Sequence, residues 1–482
     1  VAIKNRIGIL IVLTSFLACL GACGQEDPPG GQGPGSPADD CEVDPSSHDQ
    51  GILSDFDPLS VPEDRGVFPL PVQAGAMRKD EVLLTASMTG SEAARLYVWR
   101  PAALPDEIVL VREENLVADN GFFKVKVDSL APGTEYRYAF FRVEGDSPSA
   151  RSVAGTFRTA LPEGCAEPVV VAGTHGTNRK HQPFSALEIT ARYDIDVFVQ
   201  LGDYSYNDGA DTLEEFRSMW KTTLDDPGYW DLLPAAGQYI VWDDHEFRDN
   251  SSYYADVETA GFQAAKDAFF ERNPVPRFDN DSYWTSYRWG KTVEFFALDC
   301  RSERIYGIPD VQLGGLRYVS EEQMEWLKGA LLDSPCHFKV LLNSVPITNF
   351  PGLWDVAAMD RWEGFPAQRR ELLDFIVTKA IDNVWFLSGD FHTGSLGTVE
   401  AGPPWNAIRE VLMGPGGNLG NPMWFFYDVL GQPEAVAPSN QFDFFYGLPS
   451  ATVMTFDPSD GSVNLLFIDA ESEEVLFDRT VY

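Results

Sequence analysis

Apolar and polar positions follow two different rhythms along this chain, and the change falls near residue 165. Between about 68 and 159, short runs alternate apolar with polar side chains, turns separate them, and no long helical pattern intervenes. Residues 82–86, 94–99 and 122–127 read as strands, and Leu130-Ala131-Pro132-Gly133-Thr134-Glu135-Tyr136 gives a turn feeding another. Strands so spaced predict a small β-sandwich, with nothing in it that carries chemistry. From Pro168 the apolar runs become nearly continuous, at 168–172, 196–201, 238–242, 293–298, 338–343 and 383–387. Such runs suit strands covered on both faces. Between them Leu213, Phe216 and Trp220 share one face of a helix over 212–224, and Met324, Leu327 and Leu331 do so over 321–332. Further strands at 408–413, 451–456, 463–468 and 474–481 predict an α/β layered domain with a β-rich end.

The start of the chain follows neither rhythm. Lys4 and Arg6 precede an apolar run from Ile7 to Ala22, short for a membrane span and typical of a secretory signal. Leu20-Gly21-Ala22-Cys23 resembles a bacterial lipoprotein box, which makes Cys23 the expected lipidation site; an ordinary signal peptide is the alternative. The Gly/Pro-rich stretch that follows reads as a flexible tether, taken to span 24–66. The expected organisation is therefore a signal over 1–23, a tether over 24–66, a sandwich over 67–160 and a catalytic domain over 166–482. Export would place Cys41, Cys165, Cys300 and Cys336 in an oxidising compartment. Cys165 and Cys336 each precede an apolar strand, so the expected pair is Cys165–Cys336, with Cys41 and Cys300 unassigned.

Charge narrows the partners. With 36 Lys+Arg against 73 Asp+Glu, the net charge of −37 repels phosphate backbones, so nucleic-acid binding is not expected. Carboxylates do suit divalent cations, and the informative ones lie where strands end. Val171-Ala172 runs into Gly173-Thr174-His175, Gln200-Leu201 into Gly202-Asp203-Tyr204-Ser205-Tyr206, and Val241-Trp242 into Asp243-Asp244-His245-Glu246, with Asn250 just beyond. Ala297-Leu298 runs into Asp299-Cys300-Arg301, and Phe386-Leu387 into Ser388-Gly389-Asp390-Phe391-His392. Open α/β sheets bind ligands outside the carboxyl ends of their strands, so five such ends predict one polar cluster. Three of the six histidines, His175, His245 and His392, fall there; His48, His181 and His337 read as surface or packing residues. Asp and Asn oxygens with imidazole and a phenolate can hold neighbouring cations, which lower the pKa of bound water and clamp phosphoryl oxygens. No Gly-x-Ser-x-Gly elbow, Gly-x-x-x-x-Gly-Lys-Ser/Thr phosphate loop or His-Glu-x-x-His motif competes with this reading.

These stretches, above all Trp242-Asp243-Asp244-His245-Glu246-Phe247-Arg248-Asp249-Asn250, resemble the alkaline phosphatase D family of calcineurin-like metallophosphoesterases. The Leu-x-Pro-Gly-Thr-x-Tyr stretch ahead of them resembles a fibronectin type III domain. The resemblance implies an αββα sandwich preceded by that fibronectin III-like β-sandwich. It also implies hydrolysis of phosphomonoesters or phosphodiesters, and ferric iron with calcium as metals. Carried over, Asp203 bridges metals, Tyr206 and His392 bind iron, and Asn250 and Asp390 hold calcium. Asp244 and His245 contact the substrate or transition state, and Arg301 clamps phosphate. The family's first motif supplies a cysteine where this chain has His175, which is expected to remain a ligand and opens the site to zinc, manganese or magnesium.

The expected protein is thus an exported, lipid-anchored bacterial envelope phosphoesterase. A monomer is expected, with a phosphate ester as substrate and the membrane met only through the N-terminus. The alternatives are a non-catalytic surface lipoprotein with a degenerate metal site and a phospholipase D-like enzyme. Met413-Gly414-Pro415-Gly416-Gly417-Asn418 and Trp424-Phe425-Phe426-Tyr427 form either a pocket wall or ordinary packing.

Overall fold

The structure, a computed structural model, describes residues 41–90, 93–102, 107–249, 259–305 and 316–482, with the backbone alone for Asn280 and residues 356–359. Cys23, Asn250 and the first part of the expected tether lie outside the described residues. Among the described residues no helix is long and apolar enough to cross a membrane.

The continuous apolar runs are strands buried on both faces. Val169–Thr177, Val197–Leu201 and Gln238–Val241 pair in parallel at the centre of a ten-stranded sheet. Val293–Ala297, Phe338–Asn343, Val384–Ser388 and Arg409–Leu412 pair in parallel within a seven-stranded one. Alternation within the second sheet shows what covers it. Phe295, Val340, Leu342, Trp385 and Leu387 share a core with Val171, Val199 and Val241 of the first sheet. Phe296, Leu341 and Phe386 instead meet Met324, Leu327 and Leu331 of helix Glu321–Asp333 and Leu372, Leu373 and Ile376 of helix Pro366–Thr378. On the first sheet, Phe216 and Trp220 of helix Leu213–Leu224 and Phe262 and Phe269 of helix Ala260–Arg272 join the core. A capping box sets the start of Leu213–Leu224: the Thr212 hydroxyl accepts from Glu215 N, and the Glu215 carboxylate accepts from Thr212 N.

The N-terminal region departs from its expected independence. Gln73–Gly75, Glu81–Ser87 and Phe122–Asp128 extend the ten-stranded sheet, joined to Gln238–Val241 at the Gly75–Gln238 pairing. A second sheet of six strands, among them Ala93–Pro101, Ile108–Val117 and Glu135–Glu144, stacks on this extension. Two regions that read as separate domains therefore share one sheet.

The tether and disulfide expectations need correction. Residues 41–66 are folded: Ile52–Ser54 pairs with Ile108–Val117, and Asp49 is buried against Arg100 and Tyr136. Their anchors are scattered: one disulfide, the Asp49–Arg100 and Glu63–Arg151 ion pairs, and Phe56 and Val61 packed with Tyr97 and Phe141, which leave no apolar run to read. The disulfide joins Cys41 to Cys165, while Cys300 and Cys336 are free and buried. Cys336 does reach the same turn as Cys165: its thiol donates to Gly290 O, and Lys291 N donates to Cys165 O. The shared edge was legible in the sequence, but the partner arrives from the N-terminal segment.

Candidate metal centre

Five strand ends deliver their polar residues to one place. From the first sheet come His175, Asp203 and the Asp243–Glu246 turn; from the second come Arg301 and the Gly389–His392 turn. Three of the expected ligands need a backbone that L-residues avoid: φ is +52° at Asp203, +62° at Asp390 and +50° at His392. Such strain costs on the order of 1–3 kcal/mol per residue and persists only where neighbours impose it. Here glycines and a carboxylate do so. Gly202, at φ +85°, passes so close to Asp243 that a Cβ would lie 2.4 Å from that residue's Cβ. Glu246 accepts the main-chain N–H groups of Asp203 (3.1 Å), Tyr204 (2.5 Å), Ser205 (3.0 Å) and Asp243 (2.6 Å), bolting two motif turns together.

The Tyr206 hydroxyl is the hub. It donates to Asp203 Oδ2 at 2.9 Å, lies 2.9 Å from His392 Nε2, and accepts from Asn418 Nδ2 at 2.5 Å. Asp203 is 1% exposed, yet its Oδ1 has no hydrogen-bond partner among the described residues. A buried carboxylate oxygen left bare is costly, and a cation supplies what it lacks. A metal cation fits this end on that observation, with Asp203, Tyr206 and His392 as the candidate donors. Burial opposes the charge on Asp203, but His245, His392 and the Tyr206 hydrogen bond hold its carboxyl well below the usual range. Burial and Asp203 push the Tyr206 phenol up, so its phenolate forms only beside a strongly polarising cation.

His175 stands behind this hub. Its ring stacks on that of His392 with centroids 5.9 Å apart, and its Nε2 accepts the His392 main-chain N–H at 3.0 Å. Burial, followed by the neighbouring His392, pushes it down to about 3, so it is the neutral imidazole that such an acceptor requires. His245 lies on the other side, its ring 4.0 Å from that of Tyr206 and its Nδ1 held at 2.8 and 2.9 Å by Asp208. Burial works against its charge, but Asp203, Asp208 and Asp244 outweigh it and push the imidazole up to about 11. Oxygens of Asp203 and Asp244 and a nitrogen of His245 also lie within 4.8 Å of one another, but the protonated ring has no lone pair to offer an ion.

The inner end differs. Oxygens of Asp243, Asp244 and Asp390 also converge within 4.8 Å, but Arg301 is buried among them. Its Nε lies 2.5 Å from Asp243 Oδ1, its Nη1 2.7 Å from Asp360 Oδ1 and its Nη2 3.3 Å from Asp390 Oδ1. The expected calcium at Asp390 does not fit carboxylates already committed to a guanidinium. Arg301 likewise faces carboxylates where a phosphate contact was expected.

Sequence reasoning missed Asp208, Glu246, Asp360 and Asn418 as parts of the site. Glu246 and Asn418 lie in stretches that stood out, but nothing in their spacing says that one gathers main-chain N–H groups and the other faces the hub. The exposed apolar side chains of Leu419, Phe425, Phe426, Val429 and Leu430 follow Asn418 closely, beside Trp424 and Tyr427, which pack inward.

Residues 169–415 match the family described as PhoD-like phosphatase. Alkaline phosphatase D of Bacillus subtilis (strain 168) is 24% identical over 320 residues, covering 56% of this chain and 52% of that protein, so the chain spans about half the length of this curated relative. A solved structure of PhoD superposes with a TM-score of 0.71 at 19% identity, over 86% of this chain and 89% of the other. Purple acid phosphatase PPD1 from yellow lupin (Lupinus luteus) seeds gives 0.60 at 15% identity, over 86% and 75%. At those identities the two structures establish a shared fold. The family match covers just over half of the chain and contains all five strand ends that build the site, and the chain belongs to the PhoD-like phosphatase family.

Proposed function

We propose that this chain is an exported, metal-dependent phosphoesterase acting on phosphomonoesters, phosphodiesters or both. The observation that carries the reading is the bare Asp203 Oδ1 beside the Tyr206 hydroxyl and His392 Nε2. Metal bound there would acidify water and offset phosphoryl charge. The chain's own residues do the rest. Glu246 fixes the turn that presents Asp203, and His175 fixes the main chain of His392. Asp208 orients His245, whose positive charge would stabilise the departing oxygen and give it a proton. His175, with a lone pair where the family has cysteine, is proposed to belong to the metal's surroundings. Export is supported by the Cys41–Cys165 disulfide, which suits an oxidising compartment. The N-terminal region is read as fibronectin III-like, because Ala131 N donates to the Tyr136 hydroxyl as in a tyrosine corner.

The test is turnover of p-nitrophenyl phosphate and bis-p-nitrophenyl phosphate, with and without chelator, beside elemental analysis. Chelator-sensitive release from either ester is expected. No release from either, with transition metal bound, would move the reading to a binding protein.

A further inference from the structure

The inner carboxylate cluster already contains a cation, and that cation is a side chain. Arg301 grips Asp243 through Nε (2.5 Å) and Nη2 (3.1 Å), and Asp360 through Nη1 (2.7 Å) and Nη2 (3.1 Å). Its Nη2 also reaches Asp390 Oδ1 at 3.3 Å and Asp244 Oδ1 at 3.5 Å. Two of these are fork-to-fork pairs, the strongest geometry a guanidinium makes. The group is inaccessible to solvent and keeps its proton in proteins, so its charge is permanent. Arg304 adds a second guanidinium 2.9 Å from Asp360 Oδ1.

Position makes this more than an ion pair. Asp243 follows a strand of the first sheet, while Arg301 and Asp390 follow strands of the second, so the guanidinium ties the two sheets at the ends that form the site. A metal ion placed among the same carboxylates would be repelled by the guanidinium they already hold. The outer end has the opposite character, since Asp203 Oδ1 lacks a partner among the described residues.

We infer that Arg301 is the resident cation of the inner cluster: it holds Asp243 and Asp390 in place of a second metal ion, confines metal to the Asp203–Tyr206–His392 end, and does not grip the phosphoryl group. Arg301 is then a positioning residue. The inference rests on the metal-centre reading above and sharpens it, because it removes Asp390 from the ligand set.

The experiment is equilibrium dialysis of the whole protein against calcium, followed by elemental analysis, for the wild type, Arg301→Gln, Arg301→Lys and Asp390→Asn. Transition-metal content of the wild type tests the metal-centre reading; calcium content tests this inference. Arg301→Gln should gain one calcium ion per chain, while Arg301→Lys, which keeps the charge, should gain none. Asp390→Asn should hold as much calcium as the wild type, and this arm decides the matter if Arg301→Gln does not fold. A folded Arg301→Gln with unchanged calcium overturns the inference, as does loss of a calcium ion in Asp390→Asn. Inorganic phosphate supplies a second readout. A more than tenfold weaker competitive inhibition of Arg301→Gln with unchanged metal would make Arg301 a phosphate clamp.

Discussion

Asp49 and Asp203 are both buried, 5% and 1% exposed, yet their oxygens meet opposite fates. In the N-terminal region, Asp49 accepts two hydrogen bonds from Arg100, one from the Tyr136 hydroxyl and one from Gly51 N, so both oxygens are answered by protein. In the layered region, Asp203 sits on a left-handed backbone and leaves Oδ1 bare among the described residues. The same side chain is a structural anchor in one region and, on the function proposed above, a metal ligand in the other. Burial does not distinguish them; completeness of hydrogen bonding does.

Substitution should separate the two most sharply. Asp203→Asn should lower turnover by at least about a thousandfold and remove the metal, while costing the metal-free fold less than Asp49→Asn does, because its Oδ1 has no partner to lose among the described residues. Asp49→Asn should leave turnover at 25 °C unchanged and cost roughly 3–5 kcal/mol, because Arg100 loses its buried partner. Urea titration beside steady-state kinetics reads both. If Asp203→Asn unfolds the chain as Asp49→Asn does, Asp203 is an anchor too and the contrast fails.

The Cys41–Cys165 bond belongs to the anchoring side. It closes 124 residues, for which the chain-entropy account gives about 4–5 kcal/mol. The Cys41→Ser/Cys165→Ser protein should show a midpoint shift of that order with kcat unchanged in native buffer. A loss of metal on removing the bond would show that the N-terminal segment governs the site.

How far the sequence revealed each region follows the same division. The strand ends carrying Asp203, Asp243, Asp390 and His392 were legible because a parallel strand buried on both faces must be a continuous apolar run, and the polar residues that stop it are conspicuous. Helices Ala260–Arg272 and Pro366–Thr378 went unread: buried Lys266 and Arg272 in one, and Gln368 and Arg369 in the other, interrupt the apolar stripe. The fold of residues 41–66 was hidden for a related reason, since a disulfide, separate ion pairs and isolated apolar contacts hold a segment that periodicity passes over. Within the site, Asp203 was visible and its support was not. Glu246 acts through main-chain N–H groups, which every sequence possesses and none displays.

Glycines offer a smaller test of the contrast. Gly202 and Gly145 both have positive φ, +85° and +65°. A Cβ at Gly145 meets nothing within 4 Å, so Gly145→Ala should cost only the backbone term of about 1 kcal/mol and leave turnover alone. A Cβ at Gly202 would collide with Asp243 and displace the turn carrying Asp203, so Gly202→Ala should lower turnover more than tenfold. Equal effects on turnover would mean that the site tolerates movement of this turn.

The subtlest difference is in acid. Burial alone would raise the Asp49 carboxyl, but Arg100 and Tyr136 outweigh it and hold it below the ordinary value of 3.8. A carboxyl with a depressed folded pKa adds stability that is fully present above the unfolded pKa and is lost as pH falls through the folded one. The stability gap between the wild type and Asp49→Asn should therefore be constant from pH 8 to about 5 and narrow below about 4. Urea midpoints measured at matched pH on metal-free protein give this gap directly, and using the gap cancels every other group that titrates in the same range. A gap that widens in acid would mean that Asp49 is held neutral. The N-terminal anchor would then be an uncharged hydrogen-bond cluster, and its likeness to a salt bridge would be geometric only.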